Sequence, residues 1–238
     1  MPVRILTFLF LCLIAVLPAQ AADQPQLKPF VATYTAHYGA IGVTAKRRLS
    51  GSDGSWRLDF DVDSLFAGIR EFSRFRDVNG QLHPQHYEYH KTGLGRDRHT
   101  RLNFEQAEHR VVNLNRPKRT LDNVPRDVHD KLTYQLQLAL DVAAGKKNLN
   151  YQIADGKRLN EYNFAVDGRE MLRTPLGEVE TVRVKRVPDG DSDRETSIWF
   201  APQWNYALVK LMQSEDGKTY QIELTELSID GKSVGARQ

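Results

Sequence analysis

The sequence predicts a mainly β protein: a curved antiparallel sheet or half-barrel meander with one central amphipathic helix. Segments in which apolar and polar residues alternate recur along most of the chain. Turn signals rich in Gly, Asn and Asp separate these segments at the short spacing that is typical of a meander. A single stretch breaks the alternation with apolar residues at helical spacing, and this stretch predicts the helix.

Seven strands are predicted before the helix. In the clearest of them Trp56 and Phe60 face one side and Asp59 and Asp61 face the other, as expected for a half-buried strand. The predicted ranges are 30–38, 43–49, 56–63, 69–78, 85–92, 98–104 and 107–113.

The helix is predicted over 127–144. Asp127 follows a proline and is placed to act as the N-cap, and Gly145 is placed to end the helix. Because the apolar face is broad, the helix is expected on the concave side of the sheet, against Trp56, Phe60 and the strand around Trp199. One apolar flank carries Val128, Leu132, Leu136 and Leu140, and the other carries Tyr134, Leu138 and Val142.

Strands resume after the helix, with predicted ranges 150–154, 158–166, 169–173, 178–187, 195–200, 207–214 and 218–229. No Pro/Ser-rich linker separates the two halves of the meander. Residues 22–238 are therefore expected to form a single β-rich domain with one continuous and nearly closed sheet.

The N-terminus has the pattern of a secretory signal peptide over residues 1–21. Arg4 precedes an apolar run, Pro18 ends that run, and small residues before position 22 favour cleavage after Ala21. Cys12, the only cysteine, lies within this segment, so the mature chain is expected to have no thiol, disulfide or lipid anchor. Export without cysteines favours a bacterial periplasm.

Composition and motifs exclude few function classes, but they favour a non-catalytic protein over an enzyme. The formal net charge is +3, and no membrane-spanning segment follows the signal peptide. The sequence has no nucleophile elbow, zinc-protease motif or P-loop, so no cofactor is expected.

The segment 96–119 is basic, but a nucleic acid is not expected as the partner of an exported protein. A solvated face, or lipid headgroups and cell-wall polymers as partners, are the alternatives there. The oligomeric state stays open.

Two sets of charged residues are candidate cation sites. His86, Glu88 and His90 alternate on one face of a predicted strand and form a possible zinc or copper set, which His37 or His99 could complete. A solvated polar face is the alternative interpretation. Three aspartates on one strand could also bind a cation, although a charge ladder with basic residues of the neighbouring strands is favoured. The aspartates are Asp59, Asp61 and Asp63, and the basic residues are Lys46, Arg48, Arg70, Arg74 and Arg76.

Several motifs along the chain resemble a bacterial exported family catalogued as domain of unknown function 3108. The helix segment 130–138 matches its central helix, and further matches are 166–170, 174–177, 198–202 and 208–211. In the N-terminal half, Tyr34-x-Ala36 and Leu82-x-Pro84-x-x-Tyr87 also match, whereas Ala207 stands where family members often have Pro. The resemblance implies an exported β-rich protein and assigns no catalytic residue.

Together these observations predict a periplasmic protein that binds or carries an apolar or amphipathic molecule of the cell envelope, such as a lipid. The alternatives are a structural or protein-interaction factor, and a metal-dependent hydrolase that uses His86, Glu88 and His90. The predicted ligand lining is Tyr34, Trp56, Phe60, Phe72, Trp199 and Leu208.

Overall fold

The computed structural model describes residues 26–38, 41–63, 67–93, 96–188, 194–215 and 217–235. Within this part of the chain the protein is 67% strand and contains one α-helix. The predicted signal peptide, residues 1–21, lies outside the described residues and stays a prediction.

The strands before the helix form a meander in which each strand pairs antiparallel with the next. Successive side chains of a strand point to opposite faces of the sheet. Leu58 is therefore fully buried on one face, while its neighbours Arg57 and Asp59 form an ion pair on the other. These strands are β1 (Phe30–Tyr38), β2 (Ile41–Ser52), β3 (Ser55–Asp63), β4 (Ala67–Val78), β5 (Gln81–Gly93), β6 (Arg98–Glu105), β7 (Arg110–Asn113) and β8 (Leu121–Asp122).

The strands after the helix continue the same sheet, because β14 returns to pair antiparallel with β1. The described strands form one 15-stranded antiparallel sheet that is curved but not closed into a barrel, which confirms the predicted fold class. The elements are α1 (Thr133–Ala143), β9 (Leu149–Ala154), β10 (Leu159–Thr174), β11 (Gly177–Val187), β12 (Glu195–Ala201), β13 (Ala207–Glu215), β14 (Lys218–Ile229) and β15 (Lys232–Val234).

Helix α1 begins at Thr133, six residues after the predicted start, so the assignment of Asp127 as N-cap is wrong. The backbone of His129 is bonded to β9 on both sides, through Gln152 O at 2.8 Å and Ala154 N at 2.9 Å, and this extended pairing prevents a helix there. Asp130 takes over the capping role, because its Oδ1 accepts the N–H groups of Leu132 at 2.8 Å and Thr133 at 2.9 Å.

Strand β10 also differs from the prediction, which divided it into 158–166 and 169–173. It is one strand, and its register against β11 shifts between Val166 and Arg169. Gly168 lies in this bulge with φ +109°, a conformation that glycine adopts readily. The polar residues that suggested a break therefore mark a bulge inside the strand.

The helix divides the core into two clusters, as its two apolar flanks predict. Leu132 and Leu136 pack with the N-terminal strands, near the partly buried Trp56 and Phe60. On the other flank Tyr134, Leu138 and Val142 pack with strands β9 to β14. Both flanks are covered, so α1 lies on the concave side of the sheet.

Candidate ligand-binding cavity

A cavity of about 360 Å³ lies between helix α1 and the concave face of the sheet. This volume falls in the range of small-molecule sites. Its apolar lining includes Phe60, Tyr134, Tyr162, Phe164, Leu211 and Ile222, and its charged lining consists of Arg47, Glu71, Lys131, Arg186 and Arg194. We call this space the central cavity.

Aromatic rings form one wall of the central cavity. Tyr134 on the helix stacks on Phe164 of β10, with ring centroids 6.1 Å apart, and contacts Tyr162 edge-on at 5.6 Å. The guanidinium of Arg186 lies 3.8 Å from the centre of the Tyr162 ring. Burial raises the pKa of Tyr134 well above its ordinary value, so the Tyr134 hydroxyl is uncharged at neutral pH.

A narrow apolar cleft of about 50 Å³ adjoins the central cavity and shares Arg47 and Gln135 with it. Tyr34 and Leu208 line this cleft, and the Tyr34 hydroxyl donates a hydrogen bond to the Leu208 carbonyl at 3.1 Å. The rest of the apolar lining includes Phe30, Leu49, Leu136, Leu140, Trp204 and Ile229.

The predicted ligand-lining residues are only partly brought together. Tyr34 and Leu208 line the narrow cleft, and Phe60 lines the central cavity. Trp56 packs against the N-terminal core cluster on the same face of the sheet.

Phe72 and Trp199 do not line either space. Phe72 has the opposite parity to the buried Ser73, and the guanidinium of Arg57 lies 3.8 Å from its ring centre on the convex face. Trp199 has the opposite parity to Ile198, and its indole N–H donates to the carboxylate of Glu170. Both rings are covered by charged side chains rather than by the core, and the expectation that they line the cavity is corrected.

Arg47 is the functional candidate that the sequence interpretation missed. Its side chain is inward-facing and 4% exposed, and its Nε and Nη2 have no hydrogen-bond partner among the described residues. The side-chain alternation of β2 indicates this position, because Arg47 faces the same side of the sheet as the buried Ala45 and Leu49.

Glu71 is the acidic side chain in the described lining of the central cavity. It accepts a hydrogen bond from the Tyr87 hydroxyl at 2.5 Å. Burial raises the pKa of Glu71 to about 7, and this effect outweighs the Tyr87 hydrogen bond and the charge of Lys131, which both lower it. The carboxyl group is therefore partly neutral near physiological pH.

The histidine-containing face of β5 is held by hydrogen bonds. Glu88 Oε1 lies 2.8 Å from His99 Nε2 and its Oε2 lies 3.7 Å from His86 Nε2. The His90 and His99 rings are 4.9 Å apart. Burial alone would raise the pKa of Glu88, but the His99 and His86 interactions outweigh it and lower the pKa. In the described part of the chain no group of three His, Cys, Asp or Glu side chains is arranged to hold a metal ion. A metal site at His86, Glu88 and His90 stays a prediction.

The aspartates of β3 take part in the predicted cross-strand pairing. Asp61 lies opposite Lys46 on β2 and Arg70 on β4, and Asp59 lies opposite Arg48. This register supports the charge-ladder interpretation over a cation site.

A second, strongly basic cleft of about 450 Å³ lies where the two ends of the sheet approach each other. Tyr87 and Tyr89 form part of its lining together with the basic residues Arg96, Arg98, Arg116, Arg119, Lys131 and Lys157. The predicted basic segment 96–119 thus contributes one wall of this cleft. No helix in the described residues has the length and apolar character needed to cross a membrane.

The fold and cavity define a protein in which one curved antiparallel sheet wraps a helix and leaves an aromatic-lined space beside it. The chain belongs to the family described as a protein of unknown function, DUF3108, whose model matches residues 33–225. This match confirms the resemblance that the sequence motifs indicate. Among proteins of curated function, none matches the chain.

Solved structures support the fold. A β-barrel-like protein of domain of unknown function DUF1849 from Brucella abortus is 13% identical with a TM-score of 0.58, over 86% of this chain and 98% of that chain. A protein from Parabacteroides distasonis assigned as a lipoprotein is 12% identical with a TM-score of 0.32, over 86% and 97%. A protein from Bacteroides fragilis assigned as exported, with a YmcC-like fold, is 11% identical with a TM-score of 0.33, over 86% and 97%. At these identities the first similarity supports the fold alone, and the other two add no argument.

Proposed function

We propose that the protein binds or carries an apolar or amphipathic molecule of the cell envelope on the concave side of its sheet. The observation that carries the proposal is the central cavity, which has the volume of a ligand site and a wall of aromatic rings from Tyr134, Tyr162 and Phe164. A sheet whose core side chains filled the same space would leave no room for a ligand.

The narrow cleft extends the apolar surface available to such a molecule. It meets the central cavity at Arg47 and Gln135, so an elongated ligand can contact both. The cleft contributes Phe30, Leu136 and Trp204 to the apolar surface.

Two glutamines on neighbouring strands provide a matched test. Gln213 of β13 lines the central cavity, whereas Gln221 of β14 has the opposite parity to the cavity-lining Ile222. Gln213→Trp should fill the cavity and remove ligand, and Gln221→Trp should not. Native mass spectrometry of each protein, purified from its own periplasm, measures the bound molecule. A wild-type protein that carries no organic molecule, and binds no neutral apolar fluorophore, would overturn the proposal.

We also propose that the mature protein acts in the periplasm after removal of residues 1–21. The support is the charged, apolar and small-residue pattern of that segment. Mass spectrometry of the mature N-terminus should find Ala22 as the first residue. Retention of Met1 in a membrane fraction, or a lipid-modified terminus, would contradict this localisation.

A further inference from the structure

Arg47 is a buried arginine that forms no ion pair with any carboxylate in the described part of the chain. Arg101 and Arg183 also have a buried Nε without a partner among the described residues, but each has only that one unpartnered nitrogen, and Arg183 forms an ion pair with Asp167 through another nitrogen, whereas Arg47 has two. Arg47 has no such ion pair with any described carboxylate, although it is only 4% exposed. A buried guanidinium keeps its charge and is costly to leave unpaired.

The position of Arg47 places its head group beside ligand-sized space. The residue lines both the central cavity and the narrow cleft, at the point where the two meet. Its polar neighbour is the Tyr34 hydroxyl, and burial raises the pKa of that hydroxyl against the opposing charge of Arg47. Tyr34 is therefore neutral and does not balance the charge.

The remaining charges around the cavity do not balance Arg47 either. Lys131 and Arg186 add positive charge to the lining, whereas the carboxylate of Glu71 feels the charge of Arg47 without forming an ion pair with it and is bonded to Tyr87. Burial raises the pKa of Glu71 to about 7, so its carboxyl group is partly neutral near physiological pH. The described lining thus has an excess of positive charge facing an apolar space.

We infer that Arg47 is the anion-binding residue of the central cavity, and that the ligand is an amphipathic anion with an apolar body and one carboxylate or phosphate-ester head group. This inference rests on the proposed function and specifies its ligand class. The head group accepts hydrogen bonds from Nε and Nη2 of Arg47, whose planar fork suits both oxyanions. The apolar body lies along the aromatic wall or in the narrow cleft.

Dodecanoate, dodecyl phosphate and the neutral dodecanol test the inference, each by displacement of the neutral fluorophore N-phenyl-1-naphthylamine. Arg47→Met removes the charge and keeps most of the side-chain volume. The matched control is Arg48→Met, because Arg48 is the next residue on β2 and its side chain is exposed on the other face. Arg47→Lys keeps the charge and loses the fork, so it should retain part of the preference for anions over the alcohol.

The wild-type protein and Arg48→Met should bind at least one of the two anions about 10-fold or more tightly than dodecanol, and Arg47→Met should lose this difference. The anion that binds more tightly identifies the head group.

Without ligand, Arg47→Met should unfold at the same or a higher denaturant concentration than the wild type, because it removes an unpaired buried charge. Equal affinity for anions and alcohol in the wild type, or a marked loss of stability in ligand-free Arg47→Met, would overturn the inference and leave the proposed function standing. Failure of the fluorophore and all three compounds to bind would overturn both.

Discussion

His129 is a buried histidine whose environment disfavours its charged form. Its side chain is 1% exposed, its Nδ1 has no hydrogen-bond partner in the described part of the chain, and its ring contacts Tyr151 edge-on at 5.9 Å. Burial lowers the pKa of His129 from 6.5 to about 4. The unfolded chain therefore takes up a proton between pH 6.5 and 4 that the folded protein does not, so this histidine makes the fold less stable as pH falls through that window.

We predict that the contribution of His129 to this acid destabilisation is about 3 kcal/mol between pH 7 and pH 4. His129→Gln should remove it, so the variant should lose less unfolding free energy on acidification than the wild type. Urea unfolding at both pH values measures the difference. The exposed His90→Gln is the control, and it should follow the wild type. Parallel pH curves for His129→Gln and the wild type would contradict the prediction.

Glu71 should produce the opposite pH dependence. Its pKa is raised to about 7 in the folded protein, so the folded state holds a proton that the unfolded chain releases above its ordinary pKa of 4.5. That contribution to stability is present at low pH and is lost as pH rises through about 7. Relative to Glu71→Gln, the wild type should therefore lose about 1–3 kcal/mol of unfolding free energy between pH 5 and pH 8. Chemical denaturation at the two pH values tests this, and Glu108→Gln, in an exposed turn, should show no such change.

At the residue scale the sequence predicts the alternation of each strand but not which side receives the core. On β5 the aromatic parity faces inward, and Tyr87 is 1% exposed. On β4 the parity of Ser73 and Phe75 faces inward instead, which leaves Phe72 on the convex face. An aromatic residue does not identify the inner face when arginine side chains can cover it, and for this reason Arg47 was missed while Phe72 was proposed.

At the element scale the start of helix α1 depends on contacts that are remote in sequence. Asp127 and Asp130 are equivalent candidates for a cap when only their neighbours are considered. Asp130 is selected because β4 brings Ser73, whose hydroxyl donates to Oδ2 at 2.5 Å, and because β9 holds the backbone of His129 extended. The existence of the helix and its broad apolar face can be predicted from the segment itself. Its first residue depends on contacts with β4 and β9, which are remote in sequence.

Asp130→Ala should lower the unfolding free energy by about 2–4 kcal/mol, because it removes the acceptor for two backbone N–H groups and leaves the Ser73 hydroxyl buried without a partner. Asp127→Ala is the matched control. Asp127 is exposed and lies outside the helix, so its removal should change stability by no more than about 0.5 kcal/mol. Equal losses in the two variants, measured by chemical denaturation, would restore Asp127 as the cap.

At the scale of the whole molecule, the sheet is one chain of pairings from β8 to β9, held in its middle by the pairing of β1 with β14. Its two ends approach each other, and the described strands at these ends do not pair. Asn113 Nδ2 on β7 donates to the Gly156 carbonyl, in the turn between β9 and β10, at 2.8 Å. Thr100, Asn113 and Gly156 all line the basic cleft, so the closing contact and this cleft are formed together.

Gly156 permits this approach for two reasons. Its φ is +83°, and a Cβ atom at this position would lie 2.4 Å from Thr100 Cγ2. Gly156→Ala should therefore combine the cost of a left-handed backbone with a steric clash, and lower the unfolding free energy by about 2–4 kcal/mol. Gly231→Ala is the matched control, because its φ is +72° and nothing lies within 4 Å of the added Cβ.

A substitution of Thr100 separates the steric clash at Gly156 from the cost of its left-handed backbone conformation. Thr100→Ser removes the methyl group that the new Cβ would meet, so adding it to Gly156→Ala should recover part of the loss. The same change added to Gly231→Ala should recover nothing, because the two sites share no contact. Double-mutant cycles measured by chemical denaturation give the coupling energy. A coupling near zero would mean that the ends of the sheet separate freely at this point, and that the wall of the basic cleft does not depend on Gly156.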